Sequence, residues 1–149
     1  VADWFTKKNA EDGWALKGKI DTTKFIAMGH STGGTTRLIC AKRDKRFVAC
    51  VAYGAGAPKE LKGDCTPAVL LLTGSNNDEK AAIALYKKFE KPKVRVTVDG
   101  MDHYFRPVNK YAPVVAKYTV AFLDAIFKND EKAVAVLKGE EAVVVESDR

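Results

Sequence analysis

Histidine is scarce in this sequence: His30 and His103 are the only two. Any chemistry that needs an imidazole must use one of these positions. Cysteine is almost as rare, with Cys40, Cys50 and Cys65. Three thiols cannot all pair within one chain, and no two stand at C-x-x-C spacing. Cys40 falls in a helical stretch and Cys50 in an apolar run, so both read as small core residues, while Cys65 lies in a loop. A Cys50–Cys65 bridge stays open. With two distant histidines and no clustered cysteines, a zinc site lacks ligands, and no metal is expected. There is no glycine-rich phosphate cradle, and no cofactor is expected. No apolar run reaches membrane-spanning length. The chain begins Val1-Ala2-Asp3-Trp4-Phe5, without a basic leader or a start Met; no secretory signal is expected within these residues, one removed ahead of Val1 stays open, and so does the compartment.

A concentrated stripe of positive charge is also missing. The net charge is +6, from 25 Lys and Arg against 19 Asp and Glu. The bases are scattered among acids, as at Lys7-Lys8, Lys42-Arg43, Lys45-Arg46 and Lys87-Lys88, and no aromatics interleave with them. That pattern fits a solvated surface and gives no nucleic-acid footprint.

What is present is one domain's worth of chain: 149 residues, 46% hydrophobic and 30% charged. Four segments are predicted as strands: residues 24–28, 47–53, 68–72 and 94–98. The first three are nearly continuous apolar runs, as in parallel strands covered on both faces. The fourth, Val94-Arg95-Val96-Thr97-Val98, alternates with period two, which predicts one wet face towards a sheet edge. Helical patterns fall between strands. One covers residues 35–42. A second carries Ala82, Leu85, Tyr86 and Phe89 on one stripe, and a third Val115, Tyr118, Phe122, Ile126 and Phe127. Alternating strands and helices imply an α/β fold with a mostly parallel sheet flanked by helices. The tail, residues 140–149, reads as a short extra strand or a flexible end. An opening strand that is apolar on both faces would leave a sticky edge. Another strand, from upstream residues or a partner chain, is expected to pair with it.

Gly29-His30-Ser31-Thr32-Gly33 matches G-x-S-x-G. It follows a predicted strand and opens a predicted helix, the context of a nucleophile elbow. Glycines at 29 and 33 are expected to remove side chains that would collide in the turn. Ser31 would then sit at a helix N-terminus, where free amides favour developing negative charge. A Gly/Ser-rich connector without chemistry can carry the same letters; strand, helix and partner order favour the functional reading. The base follows by elimination. His30 adjoins Ser31, and neighbouring side chains diverge in a sharp turn, so His30 reads as a packed residue beneath it. His103 lies in a loop just past the fourth strand, where catalytic groups gather in open α/β sheets. Asp78, after the third strand, is favoured as the orienting acid, although a helix N-cap would also place an Asp there. Asp99 and Asp102 are its rivals.

Taken together, these residues resemble the α/β-hydrolase family, and within it the cutinase-like polyester hydrolases and the dienelactone-hydrolase-like esterases. The lead-in from Asp21 to Ser31 and the Lys117-Tyr118-Thr119-Val120-Ala121-Phe122-Leu123 segment carry the likeness. The resemblance implies a serine carboxylic-ester hydrolase with Ser31, Asp78 and His103 as triad and an acyl-enzyme intermediate. The Thr32 amide would be one oxyanion donor, and Tyr104 and Phe105 could line the acyl pocket, with core packing an equal alternative for Phe105. The family's sheet has strands upstream of the elbow, and those loops bring the second oxyanion donor. The chain is therefore expected to be the C-terminal part of such a domain, completed by an N-terminal fragment or a second chain. The loop Gly54-Ala55-Gly56-Ala57-Pro58 lacks the aromatic that polyester hydrolases use there, which favours small esters. A catalytically inactive interaction domain, and acyl transfer or perhydrolysis on the same residues, are the competing functions.

Overall fold

A computed structural model describes residues 1–77, 79–138 and the backbone of 143–148. The elements in chain order are α1 (Ala2–Asn9), β1 (Phe25–His30), α2 (Thr32–Arg43), β2 (Phe47–Tyr53), β3 (Ala68–Gly74), α3 (Glu79–Tyr86), β4 (Lys93–Val98), α4 (Val108–Phe127), α5 (Glu131–Val136) and β5 (Val143–Asp148). They build one sheet in the order β1-β2-β3-β4-β5. The first four strands are parallel, and β5 runs antiparallel beside β4. This is the expected α/β arrangement. The four parallel strands fall within two residues of their predicted limits, whereas α1 and α5 have no counterpart in the sequence reading.

The apolar runs are explained by two separate cores. Successive side chains on a strand point to opposite faces. Val51, Leu70, Leu72, Val94 and Val96 face α4 and α5, where they meet Tyr118, Phe122 and Leu137. Cys50, Ala52, Val69 and Leu71 face the other way, against Leu38 and Ala41 of α2 and Leu85 of α3. Both faces of β2 and β3 are thus covered, and the buried hydroxyl of Thr73 in β3 accepts from the Asn77 side-chain amide at 3.2 Å. Each fully buried Val or Leu adds about 1.5–3 kcal/mol relative to its exposed state. Cys40, Cys50 and Cys65 are all free thiols, so the Cys50–Cys65 bridge left open above does not form. Burial pushes the Cys50 thiol up to about 12.

The alternation in β4 has a different cause from the one expected. No face of β4 is wet: Arg95 is 3% exposed and Thr97 is 4% exposed. These two share the α3 side of the sheet. The Arg95 guanidinium donates to Thr97 Oγ1 at 2.6 Å and to Glu79 Oε1 at 3.2 Å. The polar residues therefore satisfy one another under α3. The edge that alternation predicted for β4 is occupied by β5 instead.

The opposite edge is β1. Among the described residues no strand pairs along its outer side. Ile26 and Met28 are exposed there, at 36% and 43%. A salt bridge of 2.7 Å from Asp3 to Arg46 ties α1 to the turn ahead of β2.

Candidate functional site

Strand β1 ends at His30, and α2 begins two residues later. Ser31 makes the turn alone, with φ 55° and ψ −128°. A residue with a side chain is strained in this region by about 1–3 kcal/mol. The Ser31 N–H donates to the Tyr53 carbonyl at 2.8 Å, and its own carbonyl accepts from Thr35 N–H at 3.1 Å. Both bonds hold the turn against the end of β2 and the first turn of α2.

The close packing that permits this turn involves Gly29 and Gly34. A Cβ on Gly29 would lie 2.6 Å from the Gly33 carbonyl carbon, and one on Gly34 would lie 2.9 Å from the Gly29 oxygen. Gly33 itself has open space where a Cβ would stand, because it faces outward. The sequence motif pointed to 29 and 33; packing makes 29 and 34 the constrained pair.

His103 approaches from the loop after β4. Its Nε2 lies 3.0 Å from Ser31 Oγ. The two residues are 72 positions apart in sequence, and parallel strands bring their loops to one rim. The far side of the imidazole rests over Gly54. A Cβ at Gly54 would be 3.1 Å from His103 Nδ1 and 3.3 Å from Asn77 Nδ2. Gly54 also has φ +52°, so this position favours glycine on two counts. Gly54, Gly34 and Asn77 were not singled out from sequence. A glycine just past a strand was the available signal for the first; nothing in the sequence marked the other two.

The His103 loop is clamped from the β3 side. The Asn76 N–H donates to the Met101 carbonyl at 3.2 Å, and its side-chain amide donates to the Gly100 carbonyl at 3.1 Å. Ser75 Oγ donates to Asp99 at 2.9 Å and accepts from the Gly100 N–H at 2.8 Å. Asp102 braces the loop within itself. Its carboxylate accepts the N–H groups of Tyr104 and Arg106, both at 2.9 Å, and the Arg106 Nε at 2.8 Å. The Arg106 backbone N–H, together with the Arg106 guanidinium and the Tyr104 N–H, holds the Asp102 carboxyl below the usual carboxylate range. Both rivals for the orienting acid are thereby engaged elsewhere, Asp99 with Ser75 and Asp102 with Arg106. Asp78 lies outside the described residues.

A cleft of about 390 Å³ opens over Ser31 and His103. Its walls are Thr32, Thr35, residues 54–57, Asn77 and Ala81. Apart from the reacting pair they are small or polar side chains. Tyr104 and Phe105, expected at an acyl pocket, are not part of this wall. Tyr104 is 63% exposed. Phe105 turns inward, with its ring edge-on to His30 at 5.2 Å and to Tyr53 at 5.9 Å. The loop conformation sends it there: Phe105 has φ 60°, and its N–H closes a turn onto the Asp102 carbonyl at 3.1 Å. Among the described residues, no three His, Cys, Asp or Glu side chains gather as a metal site requires.

A hydroxyl and an imidazole at hydrogen-bond distance, on the rim of an α/β sheet beside a helix N-terminus, are the equipment of acyl-transfer hydrolases as a class. The chain belongs to the PET hydrolase-like family, whose model matches residues 1–148. It is thereby placed among hydrolases of ester bonds.

Proposed function

We propose that the chain cleaves carboxylic esters through a Ser31–His103–Asp78 triad and an acyl-enzyme intermediate. The observation that carries this reading is the 3.0 Å approach of His103 Nε2 to the Ser31 hydroxyl at the floor of the cleft. Ser31 Oγ attacks the ester carbonyl carbon while His103 Nε2 takes its proton. The tetrahedral intermediate collapses, and the alkoxide leaves with that proton. Water then attacks the acyl-enzyme, again losing a proton to His103, and the acid departs as Ser31 Oγ recovers its hydrogen. The Thr32 amide, at the first turn of α2, is in position to donate to the oxyanion, since the leading amides of a helix have no helical acceptor.

Asp78 is assigned to the Nδ1 side of His103. It directly follows Asn77, which shares with His103 Nδ1 the space around Gly54. The two alternative aspartates are committed to other partners. The small wall residues at 54–57 offer no aromatic surface, and this favours small esters over a polymer chain.

A fluorophosphonate probe tests the assignment. Labelling is expected at Ser31, and it should vanish in His103→Ala. Asp78→Asn is expected to lower kcat by roughly a thousand-fold or more, because the imidazole loses its orienting partner. Unchanged labelling in His103→Ala would favour a non-catalytic role for the domain. Wild-type turnover in Asp78→Asn would remove that residue from the triad.

We also assign a further strand to the open side of β1, from another segment or a second chain. A groove of about 490 Å³ lies along this edge, with Ile26, Met28, Arg37 and Phe47 in its wall. An apolar strand edge left in water invites pairing. Amide hydrogens of Phe25–His30 that point outward should exchange slowly when that strand is present and fast when it is not. Equal exchange in both conditions would remove the assignment.

A further inference from the structure

His30 stands at the end of β1, between the reacting serine and the loop that delivers the base. Its Nε2 lies 2.7 Å from the backbone carbonyl oxygen of His103. A carbonyl only accepts, so His30 Nε2 must carry the hydrogen and donate it. The two imidazole rings are 4.7 Å apart and tilted by 43°. Phe105 closes the other side of His30, edge-on at 5.2 Å. The contact joins the strand that leads into Ser31 directly to the residue whose side chain reaches Ser31 Oγ. It is also the only side-chain hydrogen bond from β1 to the 101–106 loop among those described.

We infer that His30 is a positioning residue: its Nε2–H latches the His103 backbone to the end of β1 and so sets the reach of His103 Nε2 to the Ser31 hydroxyl. This rests on the triad reading above. The other clamps described from the β3 side come from the turn after that strand, through Asn76 and Ser75, and act on Met101 and Gly100, while the Asp102 bonds stay within the loop; none of these holds the His103 main chain to β1. Without the latch, the His103 main chain can lift away while the β3 clamps hold. A shift of about 1 Å in a reacting group can cost about a hundred-fold in rate. The effect would fall on the chemical step and spare ground-state binding, because His30 does not line the cleft.

The donor and the ring can be separated. Gln places an amide N–H near the former Nε2, Asn is too short to reach, and Phe keeps the ring but has no donor. For p-nitrophenyl acetate hydrolysis, His30→Phe and His30→Asn are expected to lose about 10- to 100-fold in kcat, with KM within about two-fold of wild type. His30→Gln is expected to recover to within about three-fold. Wild-type kcat in His30→Phe would overturn the inference, as would a His30→Gln protein of native Tm that is as slow as His30→Phe. Hydrogen exchange of residues 101–106 gives a readout independent of turnover. It should be at least about ten-fold faster in His30→Asn than in His30→Gln, and equal rates would overturn the latch. If wild type is no faster than Ser31→Ala while the exchange difference holds, the triad reading fails and the latch stands.

Discussion

Ser31→Ala is expected to abolish ester hydrolysis, with a loss of at least about a thousand-fold in kcat, while the protein stays folded. The side chain being removed makes one described contact, the 3.0 Å approach to His103 Nε2. Nothing in the core depends on it. The residual rate should match that of His103→Ala, and the double variant should be no slower than either single one, because the two groups act as one unit in moving a single proton. Additive losses would show that they act separately. The backbone at this position supplies a second readout. Ser31 is held at φ 55°, a strained conformation for any residue with a Cβ and a relaxed one for glycine. Ser31→Gly is therefore expected to raise the unfolding free energy by about 1 kcal/mol while being as inactive as Ser31→Ala. A Ser31→Gly protein less stable than Ser31→Ala in urea would show that the turn is not strained. A Ser31→Ala protein with wild-type turnover would remove the nucleophile from the account.

Gly74→Ala is expected to be among the most damaging single-methyl additions at the described glycines. A Cβ at this last residue of β3 would stand 1.8 Å from the Met101 carbonyl oxygen and 2.4 Å from its carbon. Both are backbone atoms of the loop that carries His103, so no side-chain rotation relieves the clash. Either β3 and the loop separate, or the chain unfolds. Met101 is itself fully buried in the α4 core, so the loop cannot move without pulling an anchor out of that core. The expected cost is about 3–5 kcal/mol, in the range reserved for overpacked or broken cores. The surviving folded protein should show low kcat, since the Asn76 and Ser75 bonds to the loop are stretched along with it. Gly33→Ala is the control. It lies beside the site in the first turn of α2, but nothing stands within 4 Å of the added methyl, and Tm and kcat should stay near wild type. Wild-type thermal stability in Gly74→Ala would mean that β3 and the loop are not packed as described.

Much of the architecture was readable because burial on two faces leaves a strong mark. Residues 47–53 and 68–72 are apolar at nearly every position, and each second side chain belongs to a different core. The turn at Ser31 was equally legible, since a strand, a short glycine-flanked segment and a helix follow one another within a few residues. His103 was reached by scarcity, there being only two histidines. The alternation in β4 misled because it has two causes that look the same in sequence. A wet face and a buried polar pair both place Arg and Thr at every second residue; only the position of α3 and Glu79 tells them apart. Phe105 was open in sequence between an acyl pocket and the core; its backbone turn brings its ring against Tyr53.

Local patterning alone determined the four parallel strands, the helices between them and the place of Ser31 at the head of a helix, because these depend on neighbours within one or two turns of chain. Packing between distant segments decided that Gly54 and Gly74 are obligatory, that Asp99 is taken up by Ser75, and that His30 reaches the main chain of His103. Those outcomes depend on distances of about 3 Å between residues some 25 to 75 positions apart, and such distances exist only once the sheet has brought its loops to one rim.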